Sequence, residues 1–149
     1  MIVADATTLI VLSNLNRLDL LGMFESLLVP AEVYKELTAK KDFALPPFCE
    51  IVDCKEQLYS DLLHLLDPGE SEAIALARSR DLPLLIDEKK GRRVAKDLGI
   101  VCMGFVGLLC LAIQKDLVSK DEALSLLDHA VAKGFRISRK LWEEFARRC

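Results

Sequence analysis

The chain has 149 residues, of which 52% are hydrophobic and 29% charged, with a net charge of −3. This composition excludes disordered and fibrous proteins and predicts one domain over residues 1–149. The uncharged runs are shorter than the ~20 residues of a membrane span, and no basic region precedes the N-terminal apolar run. We therefore expect neither a membrane-spanning segment nor a signal peptide.

Short apolar stretches alternate with helical patterns along the chain. Strands are predicted at residues 1–5, 26–29, 49–54, 82–86 and 100–103. Helices are predicted at residues 7–21 with a break near 14–17, and at 31–40, 56–66, 67–80, 92–98, 107–116, 120–132 and 139–148. This α/β alternation is typical of a parallel sheet with helices on both faces.

The five cysteines are odd in number and form no C-x-x-C pair, and the two histidines lie far from them in sequence. This spacing does not fit a zinc site. We expect all the cysteines to be free thiols in a reducing cytoplasm.

Two acidic positions stand at the ends of predicted strands. Asp5 interrupts an apolar run, and Asp87-Glu88 ends the fourth strand. A helix N-cap is the ordinary explanation for Asp5, and pairing with the lysines and arginines that follow is the ordinary explanation for Asp87 and Glu88. If the first and fourth strands are neighbours where the strand order reverses, these carboxylates face one cleft.

Further acids lie on predicted helices. Glu36 is three residues from Val33 and can share its apolar face. Asp67 and Glu70 fit a capping box, although Glu70 falls on the apolar side of its helix and Glu72 at the margin of that side. Clustered carboxylates repel one another, and a hard cation such as Mg²⁺ or Mn²⁺ relieves this repulsion.

Positive charge is concentrated in two places. One group is Lys89, Lys90, Arg92, Arg93 and Lys96, and the other is Lys133, Arg136, Arg139, Lys140, Arg147 and Arg148. A solvated helix face is the ordinary interpretation of such runs, and a positive rim beside a negative site is the functional one.

Several motifs, in their order and spacing, resemble the PIN-domain family of metal-dependent ribonucleases, which includes VapC-type toxins. The motifs are I-V-A-D-A-T-T-L-I, V-P-A-E-V-Y-K-E-L, L-D-P-G-E-S-E-A-I-A-L-A and L-P-L-L-I-D-E-K-K-G-R-R-V-A. The later G-F-R-I-S resembles the tail of a prokaryotic PIN subfamily. The resemblance implies a three-layer α/β/α sandwich with a five-stranded parallel sheet, and an acidic cluster that binds one or two Mg²⁺ or Mn²⁺ ions.

The resemblance also implies roles for individual residues. Asp5 matches the first-strand acid, Thr7 the hydroxyl residue that positions an acidic ligand, and Glu36 the acid of the helix after the second strand. The third acid is Glu70 or, alternatively, Glu72. The chain departs from the family here, because Glu stands where Asp is usual.

The fourth acid of the family pattern is Asp87 or Glu88 in this chain, where Ile86 replaces a common Thr or Ser. The implied activity is hydrolysis of RNA by the toxin of a toxin–antitoxin pair, with Lys89, Lys90, Arg92 and Arg93 on the RNA backbone. The resemblance further implies a small antitoxin partner and self-association as a homodimer. The short uncharged runs predict no membrane partner.

Two other functions stay open on the sequence. The same fold can serve as a catalytically silent binding module. Alternatively, an aspartyl-phosphate domain would use Asp53, at the end of the third strand, as its phosphoacceptor. Asp5 lacks the acidic neighbour that this chemistry expects.

Overall fold

A computed structural model describes residues 1–39 and 42–149 of the chain. Within these residues the strands are β1 (Ile2–Ala4), β2 (Leu27–Pro30), β3 (Cys49–Val52), β4 (Leu84–Leu85) and β5 (Cys102–Met103). The helices are α1 (Ala6–Asn14), α2 (Ala31–Thr38), α3 (Gln57–Leu62), α4 (Pro68–Arg80), α5 (Lys89–Asp97), α6 (Phe105–Gln114), α7 (Lys120–Ala132) and α8 (Arg139–Arg148). A 3₁₀ helix, Leu18–Phe24, follows α1. The last residue of the helix predicted at 31–40 lies outside the described residues.

The sheet is parallel throughout, with the strand order β3-β2-β1-β4-β5. Strand β1 pairs with β2 on one side and with β4 on the other, where Val3 lies opposite Leu84. The strand order therefore reverses between β1 and β4. This confirms the predicted fold class and the predicted neighbourhood of the first and fourth strands.

The sheet separates two hydrophobic cores. Ile2 and Ala4 of β1 face one core, with the side chains of α1, α6 and α7, and Val3 faces the other, with α4. Successive side chains of a strand point to opposite faces, so a strand covered by helices on both sides needs apolar residues at every position. Burial on both faces explains the continuous apolar runs in the sequence and makes the fold a three-layer α/β/α sandwich.

Helix α4 is buried along most of its length, from Gly69 to Ala77. It packs against β1, β2 and β4 on one side and contacts α2, α3 and α5. A helix covered on so many sides has no polar face. Its helical wheel therefore does not distinguish a carboxylate with a structural role from one that belongs to a functional site.

The cysteines differ from the expectation. Cys110 of α6 and Cys149 at the chain end form a disulfide, whereas Cys49, Cys54 and Cys102 are free. The prediction that all the cysteines are free thiols was wrong. The fold brings together two sulfurs that are distant in sequence, and no spacing motif in the sequence indicates this pair. The cysteines therefore do not indicate a reducing compartment. In the described part of the chain, no helix has the length and apolar character that crossing a bilayer requires.

Candidate acidic active site

The backbone at the β1–β4 reversal fixes where the strand-end acids lie. The Asp5 N–H donates to the Leu85 carbonyl at 2.9 Å, which extends the β1–β4 ladder by one residue. The Ile86 N–H donates to the Met103 carbonyl at 2.9 Å, which holds the chain just before Asp87. Both aspartates therefore leave the sheet at its carboxyl edge, where parallel α/β folds form their sites.

Helix α4 begins at the same edge. Asp67 is its N-cap, and the Asp67 Oδ1 accepts a hydrogen bond from the Glu70 N–H at 2.8 Å. Pro68 occupies the first helical position, where its missing N–H costs nothing. This capping places Glu70 in the first turn, where the side chain is only 9% exposed.

Asp5 is 3% exposed, and its side chain makes no capping hydrogen bond to α1 although it stands at the N-cap position. Burial raises the pKa of the Asp5 carboxyl from 3.8 to about 7, while the neighbouring Ala6 N–H opposes this rise. The nearby carboxylates of Asp67, Glu36 and Asp87 raise the pKa further. The N-cap explanation does not account for this side chain.

Glu70 shares the environment of Asp5. Burial raises the pKa of its carboxyl from 4.5 to about 8, and the carboxylates of Asp67, Asp5 and Glu88 add to the rise. Glu70 Oε2 is buried and has no hydrogen-bond partner among the described residues. A Cβ placed on Gly91 of α5 would lie 2.7 Å from this oxygen, so any other residue there would displace the carboxylate from its present position.

Glu36 reaches the cluster from α2. Its Oε2 lies 3.2 Å from the position that a Cβ would take on Gly69. Partial desolvation raises the pKa of the Glu36 carboxyl, and the Asp67 carboxylate raises it further. Acids from β1, α2, α4 and the β4–α5 connection therefore influence one another electrostatically.

Asp87 is held by two hydrogen bonds. The Thr8 hydroxyl donates to its Oδ2 at 2.7 Å, and the Phe105 N–H at the start of α6 donates to its Oδ1 at 3.0 Å. Thr7, which the family resemblance assigned to this role, is exposed, and its hydroxyl makes no hydrogen bond within the described residues. The first turn of α1 turns Thr8 inward and leaves Thr7 at the surface, so the hydrogen bond to Asp87 comes from Thr8, and the role expected for Thr7 stays a prediction.

Glu88 lies at the N-cap of α5 and is exposed, and its side chain does not cap the helix. Its carboxylate contributes to the raised pKa of Glu70. Asp87 and Glu88 therefore both border the cluster, the first fixed by hydrogen bonds and the second free to turn.

Glu72 is separated from the other acids by its hydrogen bonds. It is fully buried, and its carboxylate accepts from the Glu32 N–H at 2.6 Å, the Cys54 N–H at 2.7 Å and the Lys55 ammonium at 2.6 Å. Because Pro30 at the N-cap of α2 offers no side-chain cap, Glu72 caps that helix instead. The geometry gives Glu72 a structural role and does not bring it to the acids around Asp5.

Comparison with known proteins agrees with this architecture. A family model described as a PIN domain matches residues 1–149. The chain belongs to the PIN-domain family. No match was found among curated proteins or among solved structures.

In this PIN domain, sequence reasoning missed the electrostatic role of Asp67. The Asp67 carboxylate raises the pKa of Asp5, Glu36 and Glu70, whereas the sequence pattern indicated only a helix N-cap at this position. Sequence reasoning also missed the glycine at position 91, which admits the Glu70 carboxylate. The D-P-G-E segment could have indicated the role of Asp67. An N-cap acid three residues before an acid that faces inward must lie close to the same site.

The acids of the PIN domain fit a hard divalent cation in their chemistry. Their donors are carboxylate oxygens, and the buried Glu70 Oε2 lacks a partner. In the described residues, however, no three Asp, Glu, His or Cys side chains converge closely enough to enclose an ion. The acids are therefore gathered around one edge of the sheet in a looser arrangement than a coordination shell.

The basic residues predicted to contact RNA divide into two sets. Lys89, Arg92 and Arg93 line a cavity that Asp87 also lines, whereas Lys90 does not line it. Their helix, α5, starts at the acidic edge and carries them away from it. The PIN domain therefore has a cationic surface adjoining its acids.

Asp53, the phosphoacceptor of the aspartyl-phosphate alternative, lies just beyond β3 at the edge of the sheet. Its carboxylate pairs with the Lys55 ammonium at 2.5 Å. Strand β2 separates this edge from β1 and its acid. No observation at Asp53 favours phosphoryl transfer.

Proposed function

We propose that this PIN domain is a divalent-metal-dependent ribonuclease that hydrolyses RNA phosphodiester bonds. The observation that carries the proposal is the buried, unpartnered Oε2 of Glu70 beside Asp5 at the strand-order reversal. Keeping mutually repelling carboxylates together at this edge is costly without a compensating cation. A protein that retains them without ion pairs is expected to use them on a cation.

The residues of the site would act in distinct ways. Asp5 and Glu70, with Asp87 or Glu88, would hold Mg²⁺ or Mn²⁺, and Glu36 would complete the shell. A bound ion supplies an activated water and neutralises charge on the phosphate. The hydrogen bonds from Thr8 and Phe105 keep Asp87 in one orientation.

Asp5→Asn tests the proposal, because it removes the charge of a central acid and keeps its shape. The wild-type protein is expected to cleave a mixed RNA pool with Mn²⁺ and to be inactive with EDTA. Asp5→Asn is expected to lose more than ~100-fold in rate, since the site loses a direct ligand of its ion. Cleavage by Asp5→Asn at the wild-type rate would overturn the proposal.

We further propose that the domain is the toxin of a toxin–antitoxin pair and forms a homodimer. A small antitoxin would cover the acids and insert a basic side chain among them, since the cluster offers unpaired carboxylates. Expression of the wild type is expected to arrest growth, and expression of Asp5→Asn is not. Growth arrest by both proteins would contradict a nuclease toxin, and a monomer in light scattering would contradict the dimer.

A second candidate is a catalytically silent binding module of the same fold. One observation favours it, because no three potential ligands converge on a point within the described residues. Calorimetric titration with Mn²⁺ separates the two functions. A silent module is expected to give no binding heat that Asp5→Asn removes, whereas the nuclease gives a site that is lost in that variant.

A further inference from the structure

Two cavities meet beside the acidic site. One, of about 430 Å³, lies between α6 and the C-terminal segment, and the other, of about 540 Å³, lies along α5. Both are lined by Asp87, Arg92 and Arg136. Because they share these residues, the two cavities form one groove, which runs from Asp87 along the basic surface of α5 and the C-terminal segment.

Arg92 and Arg136 line both cavities, whereas Arg93 lines only the second and Arg148 only the first. Arg148 lines the first cavity but is paired with Glu144 at 3.2 Å. Among the described residues, Arg92 and Arg136 make no ion pair with any carboxylate, although Asp87 and Asp97 also line the groove. Their guanidinium groups are therefore available to an anion, and a guanidinium matches the geometry of a phosphate.

A single residue sets the position of both charges. The Phe105 N–H donates to the Asp87 carboxylate. The Phe105 ring packs edge to face against the Phe135 ring, with the ring centroids 5.2 Å apart. Arg136 follows Phe135 directly, so the packing that fixes the acid also fixes the backbone that carries the arginine. On the other side, a Cβ on Gly104 would lie 2.6 Å from Asp87 Oδ1 and 3.5 Å from Arg92 Nη1. The glycine thus lets the acid and the second arginine approach.

We propose that Arg92 and Arg136 form a phosphate subsite that binds the backbone of the RNA substrate next to the acidic site. This inference rests on the proposed function for the identity of the strand. It adds the C-terminal segment, through Arg136, to a nucleic-acid surface otherwise confined to α5. The subsite holds a phosphate beyond the one that reacts.

The test is RNA binding measured without catalysis. Fluorescence anisotropy of a labelled single-stranded oligoribonucleotide is recorded in EDTA over a series of salt concentrations. Arg136→Gln is expected to weaken binding roughly three- to tenfold and to reduce the slope of log K against log salt by about 0.7, the value for one lost phosphate contact. Arg92→Gln is expected to behave alike.

Arg147→Gln is the matched control. Arg147 belongs to the same C-terminal basic group and is exposed, but it lines neither cavity. The substitution removes the same charge, so its affinity and salt slope should stay near wild type. Equal losses in Arg136→Gln and Arg147→Gln would overturn the subsite in favour of diffuse attraction, and so would wild-type binding by Arg136→Gln.

The outcomes separate this inference from the proposed function. Binding in EDTA does not require the acids to hold an ion, so an inactive protein can still lose affinity through Arg136→Gln. An oligodeoxyribonucleotide of the same sequence forms a second arm, and tighter binding of DNA than of RNA would overturn RNA as the ligand. Thermal melting of each variant shows whether the fold is intact, and Arg92→Gln decides the matter if Arg136→Gln unfolds.

Discussion

Glu70 and Glu72 lie two residues apart on α4, within one helical turn, yet their carboxylates have opposite surroundings. Glu72 accepts hydrogen bonds from two backbone N–H groups and pairs with Lys55. Glu70 has a buried oxygen without a partner and a pKa raised to about 8. One carboxylate is satisfied by the fold, and the other keeps an oxygen without a hydrogen-bond partner among the described residues.

Glutamine at each position should separate these roles. Glu72→Gln is expected to lower the free energy of unfolding by about 2–4 kcal/mol, because it breaks a buried ion pair and turns an amide NH₂ toward N–H donors. RNA cleavage by the folded fraction should remain. Glu70→Gln should abolish Mn²⁺-dependent cleavage. Above a pH of about 8 it should leave the melting temperature in EDTA unchanged or higher, since it removes a carboxylate that is buried, charged and unpaired there.

Chemical denaturation and cleavage assays on the two variants provide the measurement. Each variant is the control for the other, because both change Glu to Gln on one helix. Loss of cleavage in folded Glu72→Gln, with full activity in Glu70→Gln, would reverse the assignment.

The adjacent threonines offer a second matched pair. Thr8 is fully buried and donates to Asp87 Oδ2 at 2.7 Å, whereas Thr7 is exposed. Thr8→Val keeps the shape, and it is expected to lower the free energy of unfolding by about 1–2 kcal/mol and to slow cleavage, because Asp87 loses one of its two anchors.

Thr7→Val should leave both the free energy of unfolding and the cleavage rate near wild type. Urea unfolding and initial rates with Mn²⁺ provide the comparison. If Thr7→Val slows cleavage and Thr8→Val does not, the hydroxyl that orients the site is the exposed one, contrary to the hydrogen bond in this structure.

The strand-end acids were predictable at this scale, and the choice between neighbours was not. Asp5 stands out because a charge interrupts an apolar run, which places it at the edge of a buried strand. The choice between Glu70 and Glu72, or between Thr7 and Thr8, depends on what each side chain meets across the fold. Glu72 meets Glu32 and Cys54, which are distant in sequence, so no local pattern carries this information.

At the scale of elements, several helices begin at the acidic edge. Asp5, Asp67 and Glu88 are the N-caps of α1, α4 and α5, and Gly104 is the N-cap of α6. Helix N-termini carry partial positive charge, which offsets part of the repulsion among the acids. The alternation of strands and helices predicted this arrangement, because parallel strands end and their following helices begin at one edge.

The short strands β4 and β5 and the disulfide were less accessible to sequence reasoning. The predicted strand at 82–86 contracts to Leu84–Leu85, since pairing depends on the neighbouring strands rather than on apolar character alone. Helices α7 and α8 have their predicted bounds, because Ser119 and Ser138 cap them through local hydrogen bonds. Helices α5 and α6, whose N-cap side chains make no hydrogen bond, begin two or three residues before their predicted starts, so local chemistry predicts a helix end where a side chain caps it.

Helix α8 leads to a prediction about the disulfide. The Cys110–Cys149 bond joins two cysteines that are 39 positions apart in sequence and ties the end of α8 to α6. Cys149→Ser is expected to lower the free energy of unfolding by about 2–4 kcal/mol, since the unfolded chain is no longer constrained. Both cysteines line the groove near Arg136, so RNA binding in EDTA should also weaken.

Melting curves with and without a dithiol reductant provide the measurement. The reductant should lower the melting temperature of the wild type to that of Cys149→Ser and should not affect Cys149→Ser itself. Cys102→Ser, which changes a free thiol, is the control. A wild-type melting temperature that does not respond to the reductant would contradict the contribution of the disulfide.

At the scale of the whole molecule, a net charge of −3 conceals a strong separation of charge. The acids occupy the edge of the sheet at β1 and β4, and the unpaired arginines line the groove that leads away from it. A row of positive charges that leads toward an acidic site attracts a polyanion, while the carboxylates of the site can bind a cation. Composition alone gave no sign of a cationic surface, because the acidic and basic residues nearly cancel in the total charge.

The clustered acids should make the stability of the metal-free protein depend on pH. The pKa of Asp5 is raised from 3.8 to about 7 and that of Glu70 from 4.5 to about 8. An acid whose pKa is higher in the folded than in the unfolded state binds its proton more tightly when folded. Its contribution to stability is therefore complete below the unfolded pKa and is lost as the pH rises through the folded pKa.

In EDTA, the melting temperature of the wild type should fall as the pH rises from about 5 to about 9, because both carboxyls must ionise while buried beside other acids. Glu70→Gln has one titrating group fewer and should show a shallower fall in the same buffers, which removes the contribution of the histidines from the comparison. Mn²⁺ should restore the wild-type melting temperature at the alkaline end and should restore that of Glu70→Gln less, since an ion that binds only the folded state stabilises it. Parallel wild-type and Glu70→Gln profiles, without a response to Mn²⁺, would mean that these carboxylates neither repel one another nor bind a cation.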